Sequence, residues 1–466
     1  MKNKNRIIML CLAALTACAL TLTGCSGELS GGSLPEDGFT PAVDDGAESQ
    51  LYARYEQYSA DIAEAFVNTP AAHADCFVLE QVEGGVKIVD YVSDSKVVRI
   101  PGQLSDGTSV VAIGEGAFAD KNVRAIYVPD TVEDVEAGAF LNCEGLITLR
   151  LPWLFGDFLG YVFGASAYGG NAISVPTSLD KLILGEMVQE IKSNAFSGCK
   201  SLSAVKLPDT VKEIGSFAFY DCADLVYVDL GGAESIGSYA FAECRELYAA
   251  DCSSVDKIGL GAFYNCPSLN SISLMTLGDS ENAYLGYIFG AESIEYSSSF
   301  VPKSLRTVYV SGECGAIGAK AFAGCEYITA IELGEGIESI GVRAFYSCRS
   351  LGAIELPDTV TSLGDDAFFG CDGLKSVKPS SGLTAIGMQT FFGCSSLESI
   401  ELPMSVTEIG ASAFYGCSSL KTVSLGGVKK IGKDAFAGCA SLDPVNIDGI
   451  EVAEGNGALT TADGTK

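Results

Sequence analysis

The sequence predicts an α/β solenoid, a ladder of parallel strands joined by short helical turns and wound in coils of 22–23 residues. Three observations predict it. An Ala-Phe or similar pair recurs with its ring at Phe118, Phe140, Phe196, Phe219, Phe241, Phe263, Phe322, Phe345, Phe368, Phe391, Phe414 and Phe436. A cysteine follows three residues after each of these except Phe118. Between them, short stretches alternate apolar and polar residues, the mark of a strand with one buried face.

From the N-terminus, Lys2, Lys4 and Arg6 precede an apolar run from Ile7 to Leu22, then Leu22-Thr23-Gly24-Cys25. A basic end, a short apolar stretch and small residues before a cut make a signal peptide over 1–24. The run is too short and wrongly flanked for a membrane-spanning helix. The Leu-Thr-Gly-Cys ending looks like a bacterial lipobox, which implies cleavage before Cys25 and diacylation of it. An ordinary signal peptide with an incidental cysteine is the plainer alternative. Leu15-Thr16-Ala17-Cys18 also fits the motif but leaves a shorter apolar core.

Residues 25–50 read as a lipidated, acidic, flexible tether rich in Gly, Ser, Asp and Glu. Residues 51–76 hold an amphipathic helix, with Leu51, Tyr55, Tyr58, Ile62 and Phe66 at helical spacing, and the start of a cap. The helix either covers the first coil or meets a partner helix. The solenoid is expected over 77–447, with a tail at 448–466.

One coil shows the logic. Ile400 and Leu402 alternate with Ser399 and Glu401, and Pro403 stops the strand. Val406 and Ile409 turn inward, and Gly410 permits a turn. Ala413-Phe414 then drives a ring inward. A unit this short cannot bury its own apolar face, whereas stacked copies can.

These elements, Leu-x-x-Ile-x-Leu-Pro, Val-x-x-Ile-Gly and Ala-Phe-x-x-Cys, resemble the BspA-like leucine-rich-repeat surface proteins of bacteria and some protists. The likeness covers roughly 77–447. The stretches Gly84–Tyr91 and Val98–Pro101 are similar to that family's N-terminal capping strands. The resemblance implies attachment to host proteins or cell surfaces.

Two coils are long, at about 151–182 and 274–308. They carry Leu-Gly-Tyr-Val-Phe-Gly-Ala at 159–165 and Leu-Gly-Tyr-Ile-Phe-Gly-Ala at 285–291, a spacing of 126 residues that points to a duplicated block. Trp153, Phe155, Phe158, Tyr161, Tyr168, Tyr284, Tyr287, Tyr296 and Phe300 are candidate contacts, because aromatics anchor interfaces. The bland reading is that Phe163 and Phe289 replace the missing core ring and the rest is local packing. On the strand face the outward candidates are Arg150, Lys206, Tyr227, Asp229, Tyr309, Glu332, Glu355, Lys378 and Glu401.

Composition excludes several functions. The net charge of −30 opposes nucleic acid and broad contact with anionic lipid. The one histidine, His73, leaves no Ser-His-Asp triad or His-based zinc site elsewhere. No C-x-x-C pair or D-x-D-x-D-G loop occurs, so no metal or cofactor is expected. Cys252 and Cys314 read as small buried apolar residues and the repeat cysteines as buried free thiols, although neighbouring coils would permit disulfide spacing. The expected protein is an extracytoplasmic, monomeric, lipid-anchored binder of a protein or glycan at the cell surface, touching membrane through its lipid alone. A structural stalk is the alternative, and a two-carboxylate glycosidase a remote one.

Overall fold

The computed structural model describes residue 66 and residues 69–277, 282–456 and 459–460. The chain divides into two units, Met1–Tyr52 and Ala53–Lys466, and every described residue belongs to the second. The signal peptide, Cys25, the tether and most of the expected amphipathic helix lie outside the described residues. No described helix is long and apolar enough to cross a membrane.

The solenoid begins with an antiparallel hairpin, Phe77–Val82 and Gly85–Tyr91. Its second strand pairs in parallel with Val110–Ile113, so the hairpin closes the first coil. Six parallel strands follow, from Val97–Arg99 to Tyr227–Asp229. Eight more run from Ala249–Cys252 to Thr422–Ser424. Alternation sets which residues point inward. Ser399 and Glu401 are exposed, while Ile400 between them is buried. A second, two-residue strand in each regular coil, such as Glu408–Ile409, builds shorter ladders on another side.

The interior is a column of rings. Phe196, Phe219, Phe241 and Phe263 stack at 4.8–5.5 Å. Phe322, Phe345, Phe368, Phe391, Phe414 and Phe436 stack at 5.0–5.4 Å. Each ring is buried, worth about 1.5–3 kcal/mol from water exclusion, and each aromatic contact adds roughly 0.5–1.5 kcal/mol.

The segment carrying Ala-Phe is not helical in the regular coils. It is a chain of hydrogen-bonded turns with left-handed residues on either side of the ring, such as Ser412 (φ 53°) and Gly416 (φ 73°). Its amides bond along the solenoid axis rather than back into a helix, as when Phe391 N donates to Ala413 O at 2.8 Å. Among the described residues, α-helix is confined to the four-residue pieces Asn171–Ser174 and Ser297–Phe300 of the long coils.

The ladder runs past 447. Glu451–Val452 pairs with Lys430–Ile431, and Leu459–Thr460 pairs with Val445–Asn446. Asn456 then ends the ring column. Its Oδ1 accepts from Phe436 N at 2.9 Å, the amide that would otherwise donate to a further coil, and its Nδ2 donates to Gly432 O and Ala453 O.

Candidate binding surfaces

The strand face presents two outward rows in register, a row of small residues (Ala330, Ala353, Ser376, Ser399) and a row of larger polar ones. Glu332, Glu355, Lys378 and Glu401 are exposed, with Lys378 paired to Glu355. Lys206, Tyr227, Asp229 and Tyr309 are half-buried. Arg150 is a correction to the sequence reading, because it is buried and occupied. Its guanidinium stacks on Tyr127 at 4.7 Å, bonds Val128 O and pairs with Asp130. A cation held on three sides serves the coil rather than a ligand.

The long coils split the aromatic candidates. Tyr168, Tyr296 and Phe300 are 52%, 65% and 40% exposed. Phe155 and Tyr284 are buried, a second correction, and the Tyr284 hydroxyl donates to Ala291 O at 3.0 Å. Trp153, Phe158, Tyr161 and Tyr287 are half-buried. Phe158–Tyr161 and Tyr284–Tyr287 form the same edge-on pair in the two coils. Cys314 is half-buried as well, more open than the valine position it occupies.

The local sequence explains the long coils. Phe163 and Phe289 do fill the core, both essentially buried. Phe140 N donates to Val162 O and Phe263 N to Ile288 O, so Val-Phe and Ile-Phe replace Ala-Phe toward the preceding coil. Toward the following coil the register shifts, with Leu159 N bonding Ala195 O and Leu285 N bonding Ala321 O. Glycine is needed at 160 and 286, where a β-carbon would lie 2.6 Å from Asn171 Oδ1 and 2.3 Å from the Ser297 backbone oxygen. The Gly160 amide donates to Asn171 Oδ1 at 2.7 Å and the Gly286 amide to Ser297 Oγ at 2.9 Å, both acceptors fully buried.

Each long coil therefore lays its short helix over the coil that follows, leaving a groove. One has a volume of 300 Å³ and is lined by Ala172, Val175, Gly198, Cys199, Lys200 and Asp224 among others. The other, of 260 Å³, is lined by Ser298, Val301, Gly324, Cys325, Glu326 and Tyr327. The two occupy equivalent positions 126 residues apart, with a common Val-Gly-Cys floor and a rim of opposite charge at Lys200 and Glu326.

The cysteines record the same register shift. Nine of the eleven repeat thiols donate to the phenylalanine carbonyl of the preceding coil, as Cys394 does to Phe368 O at 3.2 Å. Cys199 and Cys325, each following a long coil, make no such bond among the described residues. Burial alone raises their thiols, Cys325 to about 12. All fourteen described cysteines are free.

Aromatics on the turn side, half-buried except for the exposed Tyr415 and Phe217, were not singled out from the sequence. Tyr346, Phe369, Phe392 and Tyr415, each directly after a core phenylalanine, stack at 5.0, 4.5 and 4.7 Å with planes within 10°. Phe217 and Tyr239 stack at 5.4 Å, both with left-handed backbone, where other coils place Asn194, Gln389 or Ser412. The legible signal was an aromatic after Ala-Phe or its equivalent in four successive coils.

The profile of the BspA type leucine rich repeat region matches residues 104–168, 169–284, 293–358 and 339–454. Among solved structures, the chain is similar to a leucine rich cell surface protein from Faecalibacterium prausnitzii, at 21% identity over 84% of this chain and 97% of that one, TM-score 0.31. A leucine-rich repeat protein from Bacteroides ovatus is 23% identical over 82% and 99%, TM-score 0.31. One from Eubacterium ventriosum is 18% identical over 81% and 91%, TM-score 0.33. No curated protein matches.

Proposed function

Because this chain belongs to the BspA-type leucine-rich-repeat family, we propose that it is a lipid-anchored bacterial surface protein that binds a protein or glycan and catalyses nothing. The supporting observation is the exposed strand face. From Glu332 to Glu401 it carries one charged side chain per coil, positioned by parallel pairing and spare to the core. Eight paired strands span roughly 34 Å at about 4.8 Å each, wide enough for an extended ligand. Its mixed signs suit a ligand held by many small contacts. Fold alone does not choose that ligand. The acyl chains on Cys25 would supply the membrane affinity, about 0.8 kcal/mol per buried CH₂, and the protein would act as a monomer.

Two experiments test the parts separately. Labelling cells with an alkyne fatty acid tags the wild-type protein and not Cys25→Ser, if Cys25 is the anchor. The soluble Cys25→Ser protein, immobilised, captures a ligand from host extract in a saturable way. Point variants Tyr168→Ala, Tyr296→Ala and Glu355→Lys then map the surface. Deleting a whole long coil would not do so, because that removes Phe163 or Phe289 from the core. Absence of saturable capture from matrix-protein and glycan panels, with envelope defects on gene deletion, would favour the structural stalk.

A further inference from the structure

The turn side between residues 387–397 and 410–420 carries no charged residue, in a chain with 59 Asp+Glu and a net charge of −30. The two segments read Gly-Met-Gln-Thr-Phe-Phe-Gly-Cys-Ser-Ser-Leu and Gly-Ala-Ser-Ala-Phe-Tyr-Gly-Cys-Ser-Ser-Leu. Charge resumes at Asp365, Asp366 and Asp372 on the coil before and at Lys433 and Asp434 on the coil after. The nearest strand-entry charges neutralise one another across the same two coils, as Lys421–Glu398 and Lys430–Glu408.

Two rings of the outer aromatic column, Phe392 and Tyr415, lie in this neutral zone, and Phe369 and Tyr346 continue the column onto the two charged coils before it, where Arg343 sits 5.8 Å over the Tyr346 ring. The fold does not require it. Ala119, Ser197, Ala242, Ala323 and Ala437 stand at the same position in other coils, and the core already has Phe345, Phe368, Phe391 and Phe414. Tyr415 ends the column. It is 41% exposed, and the next coil offers only Ala437 beyond it, so one ring face is free. Gly370, Gly393 and Gly416, all left-handed, run beside the rings. A β-carbon on Gly393 or Gly416 would reach only the backbone of the preceding glycine at 3.9 Å, so the main chain is bare there. Gln389, Ser395, Ser412 and Ser418 supply amide and hydroxyl groups nearby.

We infer that this column is a binding site for a neutral polysaccharide, with a sugar stacked on the free face of Tyr415 and the chain running along Phe392 and Phe369. An uncharged strip on a strongly acidic molecule matches an uncharged ligand, since a cationic partner is drawn to the remaining surface. Equal spacing of 4.5–5.0 Å, close to the length of one pyranose unit, suits a polymer of repeating sugars. Aromatic edges and faces with hydroxyl and amide neighbours meet the apolar and polar sides of a sugar together.

The inference rests on the binding role proposed above but fails separately from it: capture of a host protein reports on that role, and polysaccharide binding reports on this one. The test is affinity electrophoresis of the full-length Cys25→Ser protein in gels containing mixed-linkage β-glucan, galactomannan or dextran, with alginate as the anionic control. At least one neutral gel retards the protein and alginate does not. Phe392→Ala and Tyr415→Ala each weaken retardation about tenfold, the loss expected of an aromatic anchor. Tyr220→Ala, an exposed aromatic outside the column, leaves it unchanged. Thermal unfolding of each variant confirms that the fold is intact. No retardation in any neutral gel overturns the inference, as does retardation that survives both substitutions. Loss of a captured host protein in Phe392→Ala without loss of glycan binding would make the column a protein interface instead.

Discussion

Serine and alanine should rank in opposite order at two cysteines of the same column. Cys394 donates to Phe368 O at 3.2 Å, whereas Cys199, following the first long coil, donates to nothing among the described residues. Both are buried. Replacing either by alanine removes one heavy atom from packing, about 0.8 kcal/mol by the value for a methylene group. At Cys394, alanine also removes the donor to Phe368 O, for a further cost of about 0.5–1.5 kcal/mol, while serine keeps one. At Cys199, serine buries a hydroxyl with no acceptor, which costs about 1–3 kcal/mol, while alanine buries none. Cys199→Ala should therefore be more stable than Cys199→Ser by 1 kcal/mol or more, and Cys394→Ser at least as stable as Cys394→Ala. Urea unfolding of the four variants measures this, with hydrogen exchange at the altered coil as a local check because solenoid stability is largely nearest-neighbour. The same rank order at both positions would refute the account of the register shift.

Other outcomes are expected from particular residues. Gly286→Ala should destabilise more than Gly160→Ala, because its β-carbon falls 2.3 Å from the Ser297 backbone oxygen, whereas that of Gly160 meets the Asn171 Oδ1 side-chain atom at 2.6 Å; thermal unfolding should show about 1–3 kcal/mol for the former. Brief iodoacetamide treatment of native protein at neutral pH should label Cys76 and Cys314 before the eleven repeat cysteines, whose thiols are buried, and peptide mass analysis after unfolding should find all of them reactive without reduction. The Glu115 amide and Lys87 hold the Glu136 carboxyl below its ordinary range. Its contribution is present above the unfolded-state pKa and fades as pH falls through the lower folded value. Glu136→Gln should thus cost a few tenths of a kcal/mol at pH 7 and converge with wild type in acid, as followed by urea midpoints.

Much of the fold was legible because one unit cannot bury its own apolar face, so the repeat had to stack, and inward Ile400, Leu402, Val406 and Ile409 announced which side faced in. The turns were less legible. Ala413-Phe414 suggested a helical turn, but Ser412 and Gln389 adopt left-handed backbone and the amides bond between coils. Single-residue propensity does not register a bond that exists only once two coils are stacked. The same holds for Arg150, an outward strand position whose charge is taken by Tyr127, Asp130 and Val128 of the neighbouring coil.

The candidate site was legible mainly as a location. The long coils stood out by length, yet Phe155 and Tyr284 of those coils turn inward while Tyr168, Tyr296 and Phe300 turn outward. By itself the sequence determined the period, the inward rings and the thiol that follows them, since each is a local pattern repeated at fixed spacing. Tertiary structure decided how coil meets coil at the two interruptions: the register shift at Leu159 and Leu285, the grooves beneath the short helices, and the loss of an acceptor for Cys199 and Cys325. Those depend on contacts between residues 23 to 36 positions apart, which are set only when stacking places the two backbones side by side.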